Sequence, residues 1–181
     1  MDFQLKPCTE KQLPEILAIF NEAILNSTAL YDYKIRTMES MHVWYAEKQK
    51  GNYPIIGAFD SNDILLGFAS YGMFRSRPAY KYTVEHSVYV RFDKRSIGIG
   101  KVLLHAIVKK AEEQNYHVMV AGIDASNDVS IQLHKKENRT YNGMRGRKTR
   151  LGRKLRRFLP SRFSLFQNAV HEQIAGSFMN A

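Results

Sequence analysis

At 181 residues and 44% apolar content the chain is sized and composed as one globular domain, and its lone cysteine, Cys8, excludes an intrachain disulfide. No apolar run approaches the ~20 residues of a membrane helix, and Asp2, Lys6 and Pro7 stand where a signal peptide would be apolar, so no membrane contact and a cytoplasmic location are expected. The net charge of +10 is not spread evenly: residues 1–134 carry 15 Lys+Arg and 15 Asp+Glu, whereas residues 135–162 carry 12 Lys+Arg against Glu137 alone. Nucleic-acid binding is therefore expected only through that basic segment.

Residues 3–6 alternate apolar and polar as in a short strand. Thr9 and Gln12 have capping-box spacing. Leu13, Ile16, Leu17, Phe20 and Ile24 then recur at helical spacing, with Pro14 confined to the first turn, so a helix is predicted from about Gln12. Residues 26–35 form a Tyr-rich loop. Residues 37–50 predict a second helix with Met41, Trp44 and Tyr45 inward and Gly51 as its stop. Residues 54–59 and 64–73 read as a hairpin about a Ser-Asn-Asp turn, 74–81 as a loop and 82–90 as another strand. Residues 100–113 predict a helix that buries Val102, Leu103, Ala106 and Ile107. Residues 118–123 are nearly all apolar, as in a strand covered on both faces, and a short helix runs from Asp128 to His134. The strand–helix–strand unit over 82–123 makes those two strands parallel, so the fold class is α/β with a mixed sheet.

Between strand and helix lies Arg95-Ser96-Ile97-Gly98-Ile99-Gly100-Lys101. N–H groups at a helix start carry partial positive charge, glycines let an anion approach the backbone, and Arg95 and Lys101 add cations. A plain turn would use the same glycines. The segment is neither a P-loop, whose glycine and Ser/Thr positions hold Arg95 and Val102, nor a dinucleotide fingerprint, whose third glycine is Leu103.

Arg95-x-x-Gly98-x-Gly100 resembles the acetyl-CoA loop of the GNAT N-acetyltransferase superfamily. Leu13-Pro14-x-Ile16-Leu17-x-Ile19-Phe20-Asn21-Glu22-Ala23, Gly67-Phe68-Ala69-Ser70-Tyr71-Gly72, Tyr82-Thr83-Val84-Glu85-His86-Ser87-Val88-Tyr89-Val90 and His117-Val118-Met119-Val120-Ala121-Gly122-Ile123-Asp124 are together similar to its phosphinothricin N-acetyltransferase branch. The resemblance spans about residues 3–136 and implies a GNAT domain over 1–136, with a mixed central sheet flanked by helices. It implies acetyl transfer from acetyl-CoA, without a metal, to the amine of a small amino-acid-like substrate such as phosphinothricin or methionine sulfoximine. A homodimer is the expected assembly.

The resemblance places the pantetheine arm along Val88, Tyr89 and Val90, the pyrophosphate on Ser96 to Lys101, and Asn127 on the arm. Ser96 replaces a frequent glycine, which is tolerable unless the backbone needs positive φ. Asn127 reads equally well as a helix cap. Glu85 is the expected base: strand pattern puts it near the core, where burial raises its pKa, and the family carries a Glu there acting through water. A surface Glu paired with a cation is the alternative. Strand alternation turns His86 to the opposite face, so the two are not a dyad. His134 stands where many relatives place a Tyr proton donor to the CoA thiolate, and reads otherwise as a half-buried helix histidine. Backbone N–H groups near Val88 suit the thioester oxygen. Arg75, Arg77 and Tyr80 occupy a loop matching the branch's substrate-facing positions, with Tyr31 and Tyr33 as another wall; a solvated basic loop is the alternative. His42, His105, His117 and His171 have no metal-ligand spacing.

Past His134 the family pattern of a Leu-Gly-Phe-like turn and two strands is lost. Residues 137–181 form an atypical basic segment, and the last strands are expected to be missing or altered. A basic arm, a divergent end that still folds onto the sheet, and a shifted reading frame after about Lys136 each account for it.

Overall fold

The computed structural model describes residues 2–27, 29–30, 34–124 and 126–136, and the backbone of residues 140–143 and 164–167. The Gln12 side chain reaches back to accept the Thr9 N–H at 2.9 Å, closing a 3-10 turn at Glu10–Gln12. It leads into α1, Leu13–Asn26, with Pro14 in the first turn, where a missing N–H costs nothing. Thr37 starts α2, Met38–Lys50, by accepting the Ser40 N–H at 3.3 Å.

Strands β1 (Gln4–Pro7), β2 (Ile55–Phe59), β3 (Leu65–Met73), β4 (Thr83–Val90) and β5 (Val118–Ala121) form one sheet in that order. β1 to β4 are antiparallel neighbours. β4 and β5 are parallel and joined through α3 (Ile99–Glu113), so the predicted mixed sheet is present. α4 (Asp128–Lys136) follows β5.

Each face of the sheet has its own core. Leu103, Leu104 and Ile107 of α3 bury against Leu66, Val84 and Met119 on one face. Ile16 and Phe20 of α1 and Met41 of α2 bury against Phe59, Leu65 and Phe68 on the other. Each such side chain, fully buried, contributes roughly 1.5–3 kcal/mol. A one-residue bulge in β3, where Ala58 faces Gly67 but Phe59 faces Leu65, resets the alternation. Phe68 therefore faces α1, and Gly72 comes to lie on the α2 side.

The buried stripes are rotated from those expected. α3 buries Leu104, Val108 and Ala111, while Val102 is exposed and Ala106 only partly covered. α1 buries Ile19 and Ala23, leaving Leu17 and Ile24 half-buried. Consecutive apolar residues such as Val102-Leu103-Leu104 leave the centre of the stripe open in sequence, and the sheet chooses it. Beyond α4, β6 (Thr140–Gly143) and β7 (Ser164–Gln167) pair in parallel as a separate two-stranded sheet. The basic run over 145–157 lies outside the described residues.

Candidate active site

β4 outruns β5. Their ladder runs from Thr83↔Val118 to His86↔Ala121 and ends there, while β4 continues to Val90 against β3. The flank of Ser87–Val90 turned toward β5 thus carries strand N–H and C=O groups with no β5 residue opposite. A cleft of about 940 Å³ opens at this parting, walled by the end of β4, the turn before α3 and the start of α4.

The turn is shaped for an anion. Gly98 has φ +90°, and a Cβ built on it would meet nothing within 4 Å, so the space above it is open. Helical bonding in α3 begins with Lys101 and Val102 N–H donating to Gly98 O at 3.1 and 3.2 Å, which leaves the Ile99 and Gly100 N–H groups outside the helix ladder. Ser96 has φ 66°, so the backbone does need the left-handed region there, and a serine bears a cost of roughly 1–2 kcal/mol that glycine would not. Arg95, Ser96, Gly98, Ile99, Gly100 and Lys101 line the cleft. Ile97 turns its side chain to solvent and has only its backbone to offer. Arg95 is anchored, with its guanidinium 2.6 Å from Glu22 of α1 and its Nε donating to Val90 O at 3.3 Å.

Glu85 stands at the other end of the cleft. It is not in the core, as strand pattern suggested; its side chain is exposed to the cleft while Val84 beside it is fully buried. It lies directly opposite Gly72, and its Oε1 would be 3.1 Å from a Cβ on Gly122. Neighbouring protein still desolvates the carboxyl enough to push it above the usual carboxylate range, and Arg75 and then Lys48 pull it partly back. Lys48 is a cleft residue that sequence reasoning missed. The signal was there: Met41, Trp44, Tyr45 and Lys48 fall on one helical stripe.

His86 and His134 lie on the opposite face from Glu85. Their rings stack at 5.3 Å and 23°. His134 is buried, and its Nδ1 is 2.7 Å from Ser130 O. A carbonyl only accepts, so the proton sits on Nδ1, and neutral His134 presents Nε2 as an acceptor. Donation from Nε2 requires the imidazolium form.

The chain that builds this cleft is similar to known proteins. Residues 18–138 match the acetyltransferase (GNAT) family. The chain belongs to that family. It is 40% identical over 136 residues to the L-methionine sulfoximine/L-methionine sulfone acetyltransferase of Pseudomonas aeruginosa, spanning 75% of this chain and 79% of that protein. An acetyltransferase structure from Acinetobacter baylyi matches with TM-score 0.74 and 55% identity over 75% of this chain and 76% of that one. A GNAT phosphinothricin acetyltransferase from Sinorhizobium meliloti in complex with acetyl-CoA matches with TM-score 0.73 and 30% identity over 76% of this chain and 74% of that one.

This GNAT protein is therefore an acyltransferase, and its co-substrate is acetyl-CoA. Its open turn fits the pyrophosphate and its parted edge fits an extended arm. Asn127 lines the cleft, yet its Oδ1 accepts the Ser130 N–H at 3.1 Å as the cap of α4, which leaves its amide nitrogen for a ligand. Arg75 and Arg77 are exposed on the loop after β3 and stand outside the cleft wall. Arg75 stacks over the rings of Phe74 and Tyr80, at 5.0 and 5.7 Å. Tyr31 and Tyr33 lie outside the described residues. Among the described residues no helix is long and apolar enough to cross a membrane, and no group of three His, Cys, Asp or Glu could hold a metal ion.

Proposed function

We propose that this GNAT acetyltransferase acetylates the primary amine of a small amino-acid-like substrate of the methionine sulfoximine or phosphinothricin type. The observation that carries this reading is the position of Glu85: its carboxylate lies over Gly122 where β4 and β5 part, in the same cleft as the anion turn. The names of the Pseudomonas and Sinorhizobium relatives supply the substrate class.

Acetyl-CoA supplies an activated acetyl thioester. An α-amino group has a pKa near 8, so its neutral form costs only about 1.4 kcal/mol at pH 7. Glu85 accepts the amine proton, directly or through one water, and its raised pKa makes it a better base than an ordinary carboxylate. N–H groups of β4 near Val88 hold the carbonyl oxygen as charge develops on it. The C–N bond forms as the C–S bond breaks, and His134 returns a proton to sulfur only as an imidazolium. Arg75, whose charge acts on Glu85 from the loop after β3, pairs with the acidic group of the acceptor, with Arg77 on the same loop.

Thiol release from acetyl-CoA, followed with methionine sulfoximine, phosphinothricin and ethylamine, tests the reading. The amino-acid-like amines should give kcat/KM at least about 100-fold above ethylamine, given the roughly 1–3 kcal/mol expected of each charge-assisted contact. Release no faster with them than with buffer would end it.

A further inference from the structure

We propose that Lys48 is a positioning residue for acetyl transfer: its ammonium, lodged over Gly72, keeps the facing Glu85 carboxylate ionised and aimed at the gap between β4 and β5. The inference rests on the reading of Glu85 as the base.

The head of Lys48 is built into the protein rather than left in solvent. Its Nζ donates to Tyr71 O at 2.8 Å and lies 5.6 and 5.7 Å from the ring centroids of Trp44 and Tyr53. A carbonyl and two π-faces are three attractive groups for one cation. Gly72 makes the room, since a Cβ there would stand 3.1 Å from Nζ. Gly72 and Glu85 are directly opposed in the β3–β4 ladder and so share a face. The ammonium therefore occupies the space that a side chain opposite Glu85 would fill. On the other flank, Gly122 leaves the same kind of space to the Glu85 carboxylate. β3, β4 and the residue just past β5 thus contribute glycine, glutamate and glycine, with a cation over the first glycine and an anion over the second.

The charges around the pair set which influence is durable. Arg75 acts on Glu85 from the loop after β3; Glu47 from α2 and Arg36 from the segment before α2 act on Lys48. Arg75 exerts the larger pull on Glu85, but it is exposed and is the group offered to the acceptor. Lys48 is half-buried and anchored by the Tyr71 carbonyl and two rings, and need not move when substrate arrives. Burial pushes its ammonium down to about 8, Glu47 raises it, Arg36 lowers it and Glu85 raises it again. At pH 7 it remains mostly charged, and above pH 8 its hold on Glu85 fades.

The test uses the full chain and its Lys48→Met, Lys48→Arg and Gly72→Ala variants. The Glu85 carboxyl is titrated by carbon-13 NMR of glutamate-labelled protein, assigned by the signal lost in Glu85→Gln. The pH profile of kcat/KM is measured alongside with acetyl-CoA and methionine sulfoximine. Lys48→Met should move the Glu85 midpoint and the acid limb upward by about one pH unit, and Lys48→Arg should leave both near wild type. Gly72→Ala, which crowds Nζ without removing it, should move both the same way by less. A Glu85 midpoint unchanged in folded Lys48→Met overturns the proposal; if that variant does not fold, an unchanged midpoint in Gly72→Ala does so. An acid limb that survives in Glu85→Gln instead sinks the reading of Glu85 as base, while the NMR midpoint still decides whether Lys48 acts on it.

Discussion

Glu22 and Arg95 form a 2.6 Å ion pair that ties α1 to the anion turn before α3. The carboxylate is the less exposed partner, at 24% against 43%, so the guanidinium is drawn back toward the helix. Partly exposed pairs of this kind contribute about 0–1 kcal/mol. Glu22→Gln should therefore raise KM for acetyl-CoA about two- to fivefold and leave kcat unchanged. In a double-mutant cycle with Arg95→Ala the two effects should fall short of additive. Full additivity would show that Glu22 does not act through Arg95.

Glu85→Gln should lower kcat roughly 10²–10⁴-fold without loss of fold. Its effect on stability has a definite sign. The folded carboxyl titrates above its unfolded value of 4.5, so the native state holds the proton more tightly between the two. Ionised Glu85 thus costs stability as pH rises through that window. Glu85→Gln should melt higher than wild type at pH 7, and the difference should vanish below the unfolded carboxyl pKa. Thermal melts at pH 4 and pH 7 test this; a lower melting temperature at pH 7 would contradict it.

Gly98→Ala would place a side chain at φ +90° and in the open space of the anion turn. Left-handed backbone costs an alanine about 1–2 kcal/mol. The variant should bind coenzyme A at least about tenfold more weakly by calorimetry, and recover most of its kcat at saturating acetyl-CoA. An unchanged affinity would mean that the phosphates bind elsewhere.

Cys8 is buried, and desolvation followed by Glu15 pushes its thiol up to about 12. It should resist iodoacetamide at pH 8 in the native protein and react only once the protein is unfolded, as mass spectrometry would show. Rapid native alkylation would contradict its burial. A thiol-release assay for acetyl transfer should accordingly see coenzyme A and not the enzyme.

Most elements could be placed from sequence because each has a local cause: the Thr9–Gln12 reach-back, Pro14 in a first turn, and the apolar periods of α1 and β5. The turn from Arg95 to Lys101 could be placed between a strand and a helix for the same reason, whereas Glu85 stands out through the family resemblance and its strand pattern misjudges its exposure. What escaped the reading depends on neighbours distant in sequence. The bulge in β3 exists only against β2, and the register that sets Gly72 opposite Glu85 exists only between β3 and β4. Lys48 lies 37 positions before Glu85, and only the sheet brings the two together. The tautomer of His134 hangs on one carbonyl a helical turn away, although the spacing of Ser130 and His134 could have suggested it.

The early end of the β4–β5 ladder at His86 and Ala121 has a consequence beyond the chemistry. An extended ligand arm laid along Ser87–Val90 would serve as a further strand on the flank that β5 does not reach. Amide hydrogen exchange should then slow in this part of β4 when coenzyme A is added. A ligand held only by the native state adds RT ln(1 + [L]/Kd), about 2.7 kcal/mol at a hundredfold excess over Kd. The lifetime of this fold in a cell would follow the supply of its co-substrate, so that starvation for acetyl-CoA would deplete the enzyme as well as idle it.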